Sequence, residues 1–546
     1  MNLPGKIIFL VLLSIGLSSP AQSPESYRKL LTRQTQSGKL GASEYFANYV
    51  KDGILRISLD DAIKLALQNN SAVRIQQTQA EAQKFILLGD YQRFDPLFQA
   101  IASVSRYSTP GSSELQGIGQ TSTAALNSLT QLGQISYSQT FETGTTIDGT
   151  FSSTKSSTNS SFNYFNPYFN SILNFNFIQP LLRNAGVFAN KAPLIIARRT
   201  LQQSRASFEA QVNDAIFQLV NQYWAVVQAR GNLQVEQDSL SLAEASYQRD
   251  KRALELGALP PLDIYRSQSE VAARHLQAIQ GEYTLKQAEE ELRLTIGADQ
   301  DASTHALNLN LTEKPEPVGE LDSTNMDEAL KNALGGRPEL EATGYALEND
   351  ETNIRLAHNH LLPDLSLTGF YDTTGLGGNR YDLNTGALVS QGGLFSSFNQ
   401  LSGFRFPGYG ASLTLNLPIK NRGAQASLGG ALVSRRRDLY TARQTREEII
   451  LQVSDAVRQL EEAKLTLAAG KLSYDLAQKS LAAEQRKYEL GAETNFFVLD
   501  AQSKLAQADL ELLQTQVNYQ IARASVQHAT GNLLQPYHVQ IKEIEQ

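Results

Sequence analysis

Lys487 to Ser503 reads KYELGAETNFFVLDAQS: a helix-forming stretch, a break of two or three residues at Gly491, and a second helix-forming stretch. Ala253 to Ser269 reads ALELGALPPLDIYRSQS, with glycine, alanine, an apolar cluster and Gln-Ser in the same register. Gly257 aligns with Gly491 and Gln268 with Gln502 at an offset of 234 residues, which also carries Gly297 onto Gly531. Both segments after the break therefore run 40 residues from glycine to glycine. Self-similarity of this kind signals a repeated architecture.

Working outward, LDDAIKLAL (Leu59 to Leu67) matches MDEALKNAL (Met326 to Leu334) at an offset of 267, which also maps Pro96 onto Pro363. QVNDA at Gln211 matches QVSDA at Gln452 at an offset of 241, so the first copy is seven residues longer before its tip. One heptad is a change that a coiled coil absorbs without turning its buried stripe. Each copy reads helix, extended segment, loop, extended segment, long helix, tip, helix.

Leu472, Leu476, Leu481 and Tyr488 recur at helical spacing among lysine, glutamate and glutamine, a pattern of helix packing rather than chemistry. At about 1.5 Å per residue, Lys191 to Glu255 and Ala424 to Leu490 each span roughly 100 Å. The helices after the tips span roughly 60 Å, and Asp60 to Arg93 or Asp327 to His360 roughly 50 Å. Two shorter helices stacked end to end match one long helix, the dimensions of a tube wall.

After Pro96 and Pro363 the period falls to two. Tyr409, Ala411, Leu413, Leu415 and Leu417 alternate with Ser412, Thr414 and Asn416. Leu173, Phe175 and Phe177 alternate with Asn174 and Asn176, and Leu365, Leu367, Gly369 and Tyr371 with Ser366 and Thr368. Such segments are the signature of transmembrane barrel strands, predicted here at about 97–108, 171–179, 364–372 and 409–418. The polar stretches Thr109 to Leu132 and Gly375 to Gly408 suit long extracellular loops. Gln134 to Phe141 and Thr145 to Ser153 are candidates for a further hairpin, giving four or six strands per chain. A sheet cannot leave an open edge in lipid, and the smallest barrels close with about eight strands. One chain closes alone with neither four nor six, so several copies must pool their strands.

The chain has 546 residues, a formal net charge of −7, a mean hydropathy of −0.30 and no cysteine. The last excludes disulfides, thiol catalysis and Cys-type zinc sites. A mildly acidic balance without a basic block offers no footprint for nucleic acid. Lys6, the apolar run Ile7 to Leu17 and the small residues Ser19 and Ala21 describe a secretory signal over 1–21. No later segment reaches the ~18 uninterrupted apolar residues of a membrane helix. A polar segment (22–58), a first copy (59–300), a linker (301–325), a second copy (326–534) and a tail (535–546) complete the reading. Nucleophile elbows, P-loops, HExxH motifs and EF-hand loops are absent from the sequence. His358 and His360, two residues apart on a helix, point to different faces and make no metal site. No enzyme, cofactor or metal function is expected.

Over Leu59 to Leu534 the chain resembles the TolC-like outer-membrane efflux proteins. The resemblance rests on the doubled LDDAIKLAL and MDEALKNAL openings, the FDPLF and LPDLSL helix-to-strand turns, FIQPLL, and the paired ELGA tips. It implies a mostly α chain with membrane β-strands, its two tandem repeats forming one third of a homotrimer. That trimer would share one β-barrel in outer-membrane lipid and project a long periplasmic α-barrel of coiled-coil hairpins. The implied function is a passive exit duct for small molecules or proteins. A periplasmic adaptor (membrane fusion) protein would dock at the tips, and an inner-membrane pump of RND, ABC or MFS type would supply the energy. Six tips in a ring would present a quasi-sixfold surface. A periplasmic coiled-coil scaffold without a pore is the alternative, and a secreted enzyme the third option.

The tips span 257–262 and 491–496. Gly257 and Gly491 suit helix C′ positions, Pro260 and Pro261 the first turn beyond, and Thr494 or Asn495 the matching cap. Adaptor docking falls to Gly257, Ala258, Leu259, Gly491, Ala492 and Glu493. The family's tips also close the tube through tyrosine, aspartate and arginine. By register Asp263, Tyr488, Phe497 and Asp500 fall at gate positions, with Asp500 keeping the family's aspartate. Phe497 stands where a second aspartate is frequent, and Glu493 where a gate arginine lies. Arg266 is placed to pair with Asp500 across the tip, an exposed contact of about 0–1 kcal/mol.

Overall fold

The computed structural model describes residues 46, 48–51, 53–111, 125–257, 261–262, 264–298, 307–317, 319, 321–490 and 492–536. The signal segment and most of the tail lie outside them. In chain order come β1 (Val50–Lys51), β2 (Ile54–Ile57), α1 (Leu59–Asn69) and α2 (Ser71–Asp90). Four strands follow: β3 (Leu97–Pro110), β4 (Ala125–Thr140), β5 (Thr146–Thr158) and β6 (Phe165–Pro180). Helix α3 (Gly186–Glu255) runs to the first tip and α4 (Ile264–Ile296) returns to β7 (Asn308–Leu311). The second half adds α5 (Met326–Gly336), α6 (Pro338–Leu361), β8 (Asp364–Tyr381), β9 (Leu388–Ser390), α7 (Leu394–Ser402) and β10 (Pro407–Asn416). It ends with α8 (Arg422–Glu489), the second tip and α9 (Asn495–Ala529).

Helices α3 and α8 have 70 and 68 residues, about 100 Å each. The seven additional residues between QVNDA and the first tip are nearly offset by five fewer before that motif. Core positions keep the 241 offset: Val212, Ile216 and Leu219 are buried in one half, Val453, Val457 and Leu460 in the other. One core gathers β2, α1, α3 and α4 around Leu55, Ile63, Ile216, Tyr223 and Ile296. A second joins α5, α8 and α9 around Ala333, Ile449, Leu460 and Val526.

The helices expected to run unbroken over Asp60 to Arg93 and Asp327 to His360 are each split. Asn70, extended at φ −62° and ψ 117°, ends α1 and caps α2 by accepting from Ala72 and Val73 N–H. Its Nδ2 donates to Thr295 O at 2.9 Å, at the end of α4. Arg337, at the matching offset of 267, precedes Pro338, which opens α6. Its buried guanidinium donates to Gln452 Oε1 at 3.1 Å and to His528 O and Ala529 O at 3.2 and 3.3 Å. Both breaks thus clasp the far end of a returning helix. Two segments that read as polar connectors also carry strands: β2 pairs antiparallel with β1 and parallel with β7.

The large sheet has the order β10-β8-β6-β5-β4-β3, all antiparallel, with β9 on the end of β8. Six long strands are therefore present, and the candidate hairpin is real and longer than predicted. Ala125 to Leu132, read as loop, belongs to β4; Gly375 to Tyr381 belongs to β8, and α7 lies within the second predicted loop. Ala125 to Leu132 was obscured because Leu126, Leu129 and Leu132 recur every three residues, and Gly375 to Tyr381 because its glycines carry no apolar signal.

Paired residues share a face. One row joins Phe98, Tyr137, Gly149, Phe175, Tyr371 and Tyr409 in register. The opposite face carries Gln99, Ser136, Thr150, Asn174 and Asp372, ending at Gly408. An aromatic-rich apolar face backed by a polar one matches a lipid surface and a wet lumen. Helix α7 packs on the apolar side. Ser397 Oγ lies 2.9 Å from Ser171 Oγ, the Phe398 ring 5.6 Å from Phe151, and a Cβ on Gly375 would collide with the Ser397 carbonyl.

Candidate functional site at the helical tips

The first tip begins where α3 stops at Leu256. Gly257 adopts φ +75° and its N–H bonds Leu254 O at 2.9 Å, half of a Schellman closure. At the second tip Ala492 N–H reaches back to Lys487 O at 3.0 Å, the other Schellman bond. Gly297 and Gly531, which end α4 and α9, repeat the conformation at φ +76° and +75°. Thr494 precedes α9 with no side-chain cap, contrary to expectation, and Asn495 is used elsewhere. Ala258, Leu259, Asp263 and Gly491 lie outside the described residues.

Each tip presents a leucine at the same register. Leu256 is 84% exposed, its counterpart Leu490 70%, and Leu262 beside the first tip 79%. Ala492 is exposed, and Glu493, half-buried, lies 3.9 Å from the Lys487 ammonium.

Behind the leucines sits a polar knot that the sequence reading missed. Asp250 on α3 is 3% exposed. Its carboxylate accepts from Ser267 Oγ on α4 and from Asn495 Nδ2 on α9, the latter at 2.9 and 3.1 Å. One side chain thereby fastens the first hairpin to the second. The available signal was Glu484, an acid at the 234 offset from Asp250, which pairs instead with Lys487 at 2.7 Å. A few residues on, Arg274 donates to Ser503 Oγ at 2.8 Å.

The proposed gate residues divide. Tyr488 packs against Leu481, Val498 and Ala501, with the Arg249 guanidinium 5.7 Å from its ring centroid. Phe497 is exposed and edge-on to Phe496 at 5.4 Å. Asp500 does not meet Arg266: it pairs with Lys504, one turn along its own helix, at 2.7 Å. Arg266 lies 5.4 Å from the Phe496 ring centroid. The i,i+4 partner is always within reach on a helix, whereas a cross-tip pair must compete with the aromatic face.

Among the described residues no helix is long and apolar enough to cross a membrane. Strands of 10 to 18 residues with an apolar face, set on helices of about 100 Å, define an outer-membrane channel subunit. The chain belongs to the family described as "Outer membrane efflux protein", whose sequence model matches residues 146–298 and 329–532. It resides in the outer membrane with its helical part in the periplasm, and its family is one of channels rather than enzymes.

Its relatives include "Probable efflux pump outer membrane protein TtgC" of Pseudomonas putida, 22% identical over 332 residues. That alignment spans 60% of this chain and 62% of the relative. Outer membrane protein TolC of Vibrio cholerae is 20% identical over 358 residues, 66% of this chain and 76% of its own. Among solved structures, a membrane protein from Pseudomonas aeruginosa superposes with a TM-score of 0.62 at 17% identity, covering 86% of this chain and 93% of its own. The Campylobacter jejuni CmeC outer membrane channel gives 0.59 at 16%, covering 91% and 90%. These structural likenesses describe the fold.

Proposed function

We propose that the protein is the passive outer-membrane exit duct of a tripartite exporter, acting as a homotrimer. The observation that carries this reading is the sheet itself: one face suits lipid, the other water, and among the described residues β3 and β10 are each paired on one side only. An open edge in lipid costs several kcal/mol per unpaired backbone group, so closure requires further copies. Helices of about 100 Å then continue the pore into the periplasm. Leu256 and Leu490 are the docking knobs for a periplasmic adaptor, and an RND, ABC or MFS pump supplies the energy. Phe497 and Asp500 are the gate side chains, with Tyr488 as packing behind them. Two relatives are named for antibiotic and toluene efflux, and small, largely apolar molecules are the cargo we favour.

The test is purification from outer-membrane fractions followed by planar-bilayer recording. Heat-resistant trimers with channel activity are expected; a soluble monomer without activity would remove the duct. Replacing both Leu256 and Leu490 by aspartate should leave trimers and conductance intact while abolishing export in cells. Undiminished export would remove the docking assignment.

A further inference from the structure

The first half of the chain holds a hairpin that the second lacks. Four strands separate α2 from α3, whereas two long strands, β8 and β10, separate α6 from α8. The Pro96-to-Pro363 offset aligns β3 with β8, and β6 and β10 both lead into long helices, leaving β4 and β5 as an addition. The addition is built in. It pairs in continuous register with β3 on one side and β6 on the other. Its turn is clamped to the start of α3, where Lys191 meets Glu142 at 2.5 Å and Gly186 N–H bonds Thr143 O at 3.2 Å.

We infer that three copies close an eighteen-stranded barrel, β10 of each subunit pairing antiparallel with β3 of the next, an inference that rests on the trimeric duct reading. β3 runs away from the helices and β10 toward them, so the free edges meet in the required sense. The register of the join follows from the sheet. Leu97, at the helix-side end of β3, lies level with Ser138, Asp148, Asn176, Phe370 and finally Gly410. Gly410 stands six residues above Asn416, the helix-side end of β10, so each rung climbs as it crosses the subunit.

Threefold symmetry divides the total stagger into three equal steps, and each step is even because paired residues share a face. With ~3.3 Å per residue and ~4.8 Å between strands, steps of six or eight tilt the strands by about 35° or 42°, within the range of known barrels. Steps of four or ten give about 25° or 49°, outside it. Gly410 therefore faces Ser103 or Ser105 of the partner subunit. Equivalently, Ser412 faces Ile101 or Ser103 of the partner subunit, on the lumen side. Such a barrel is about one and a half times as wide as one with four strands per chain, because diameter grows with strand number.

The chain contains no cysteine, so introduced thiols are the only ones. Three full-length variants suffice, oxidised mildly in outer membranes: Ser412→Cys with Ile101→Cys, Ser412→Cys with Ser103→Cys, and Thr150→Cys with Asn174→Cys. One of the first two should give reducible dimers and trimers. The third joins neighbours on β5 and β6 and should give an intrachain bridge without a ladder. Electron cryomicroscopy of the unmodified trimer should count eighteen strands. Trimers with twelve strands, or trimers in which neither Ser412 pair links, overturn this closure while leaving the duct intact. Monomers overturn both.

Discussion

A carboxyl group that is 3% exposed is tolerated only when its oxygens are hydrogen-bonded. Asp250 fills them from two other helices, through Ser267 and Asn495. Replacing it by alanine strands both donors and should destabilise the tip by about 2 kcal/mol, with Asn495→Ala costing about half as much. Proteolysis near the tips and raised basal conductance in bilayers would register the change; wild-type resistance to protease would refute it. Asp500 is more exposed, and its ion-pair partner among the described residues is Lys504. Asp500→Ala should raise conductance and shift selectivity toward anions, since Lys504 is left uncompensated; unchanged conductance removes it from the constriction. Asp509 on α9 differs again, its carboxyl held above the usual range by burial and then by Asp238 across on α3. A group whose folded-state pKa is raised opposes folding when ionised and ceases to do so as the pH falls through that pKa. Asp509→Asn should therefore raise the melting midpoint at pH 7, with the advantage shrinking toward pH 4. An equal advantage at both values would rule out titration as the cause.

Among the elements, α7 shows what small residues accomplish. Gly375 and Ser171 let it lie against the sheet, with Phe395 left exposed. Gly375→Val would press on backbone at Ser397 and should lift the helix at a cost of about 1–3 kcal/mol. Chymotrypsin added to intact cells should then cut faster at Phe395 and Phe398, while trimer yield stays constant. This helix was invisible in the sequence because its serines and the glycines around it read as loop. The long helices and the strands with strict alternation, β6 after Ser171 and β10 among them, were legible because periodicity alone betrays them. β4 and β5 were less so, since Asn127, Gln131 and Gln139 interrupt the apolar face of β4, and serine and threonine occupy both faces of β5. The breaks at Asn70 and Arg337 were missed because the apolar stripe continues across them. Of the tip, glycine and register were readable; the Asp250 knot was not, because a buried acid and a solvated one have the same letter.

Across the whole molecule, the clamp between the β4–β5 turn and the start of α3 ties the large sheet to the helices at their junction. The two large cores hold the helices together beyond it, whereas among the described residues the apolar packing near the second tip is the small cluster of Leu481, Val498 and Ala501 with Tyr488 and Leu505 against it. Opening free energy follows buried contact, so resistance to local unfolding should decline along the helices. Amide hydrogen exchange on the purified protein should show slow exchange beside Gly186 and fast exchange beside Gly257 and Glu489, the reverse order being incompatible with this scheme. A rod secured at one end and yielding at the other confines its fluctuations to the loose end. Whatever motion admits cargo then leaves the seal in the lipid undisturbed.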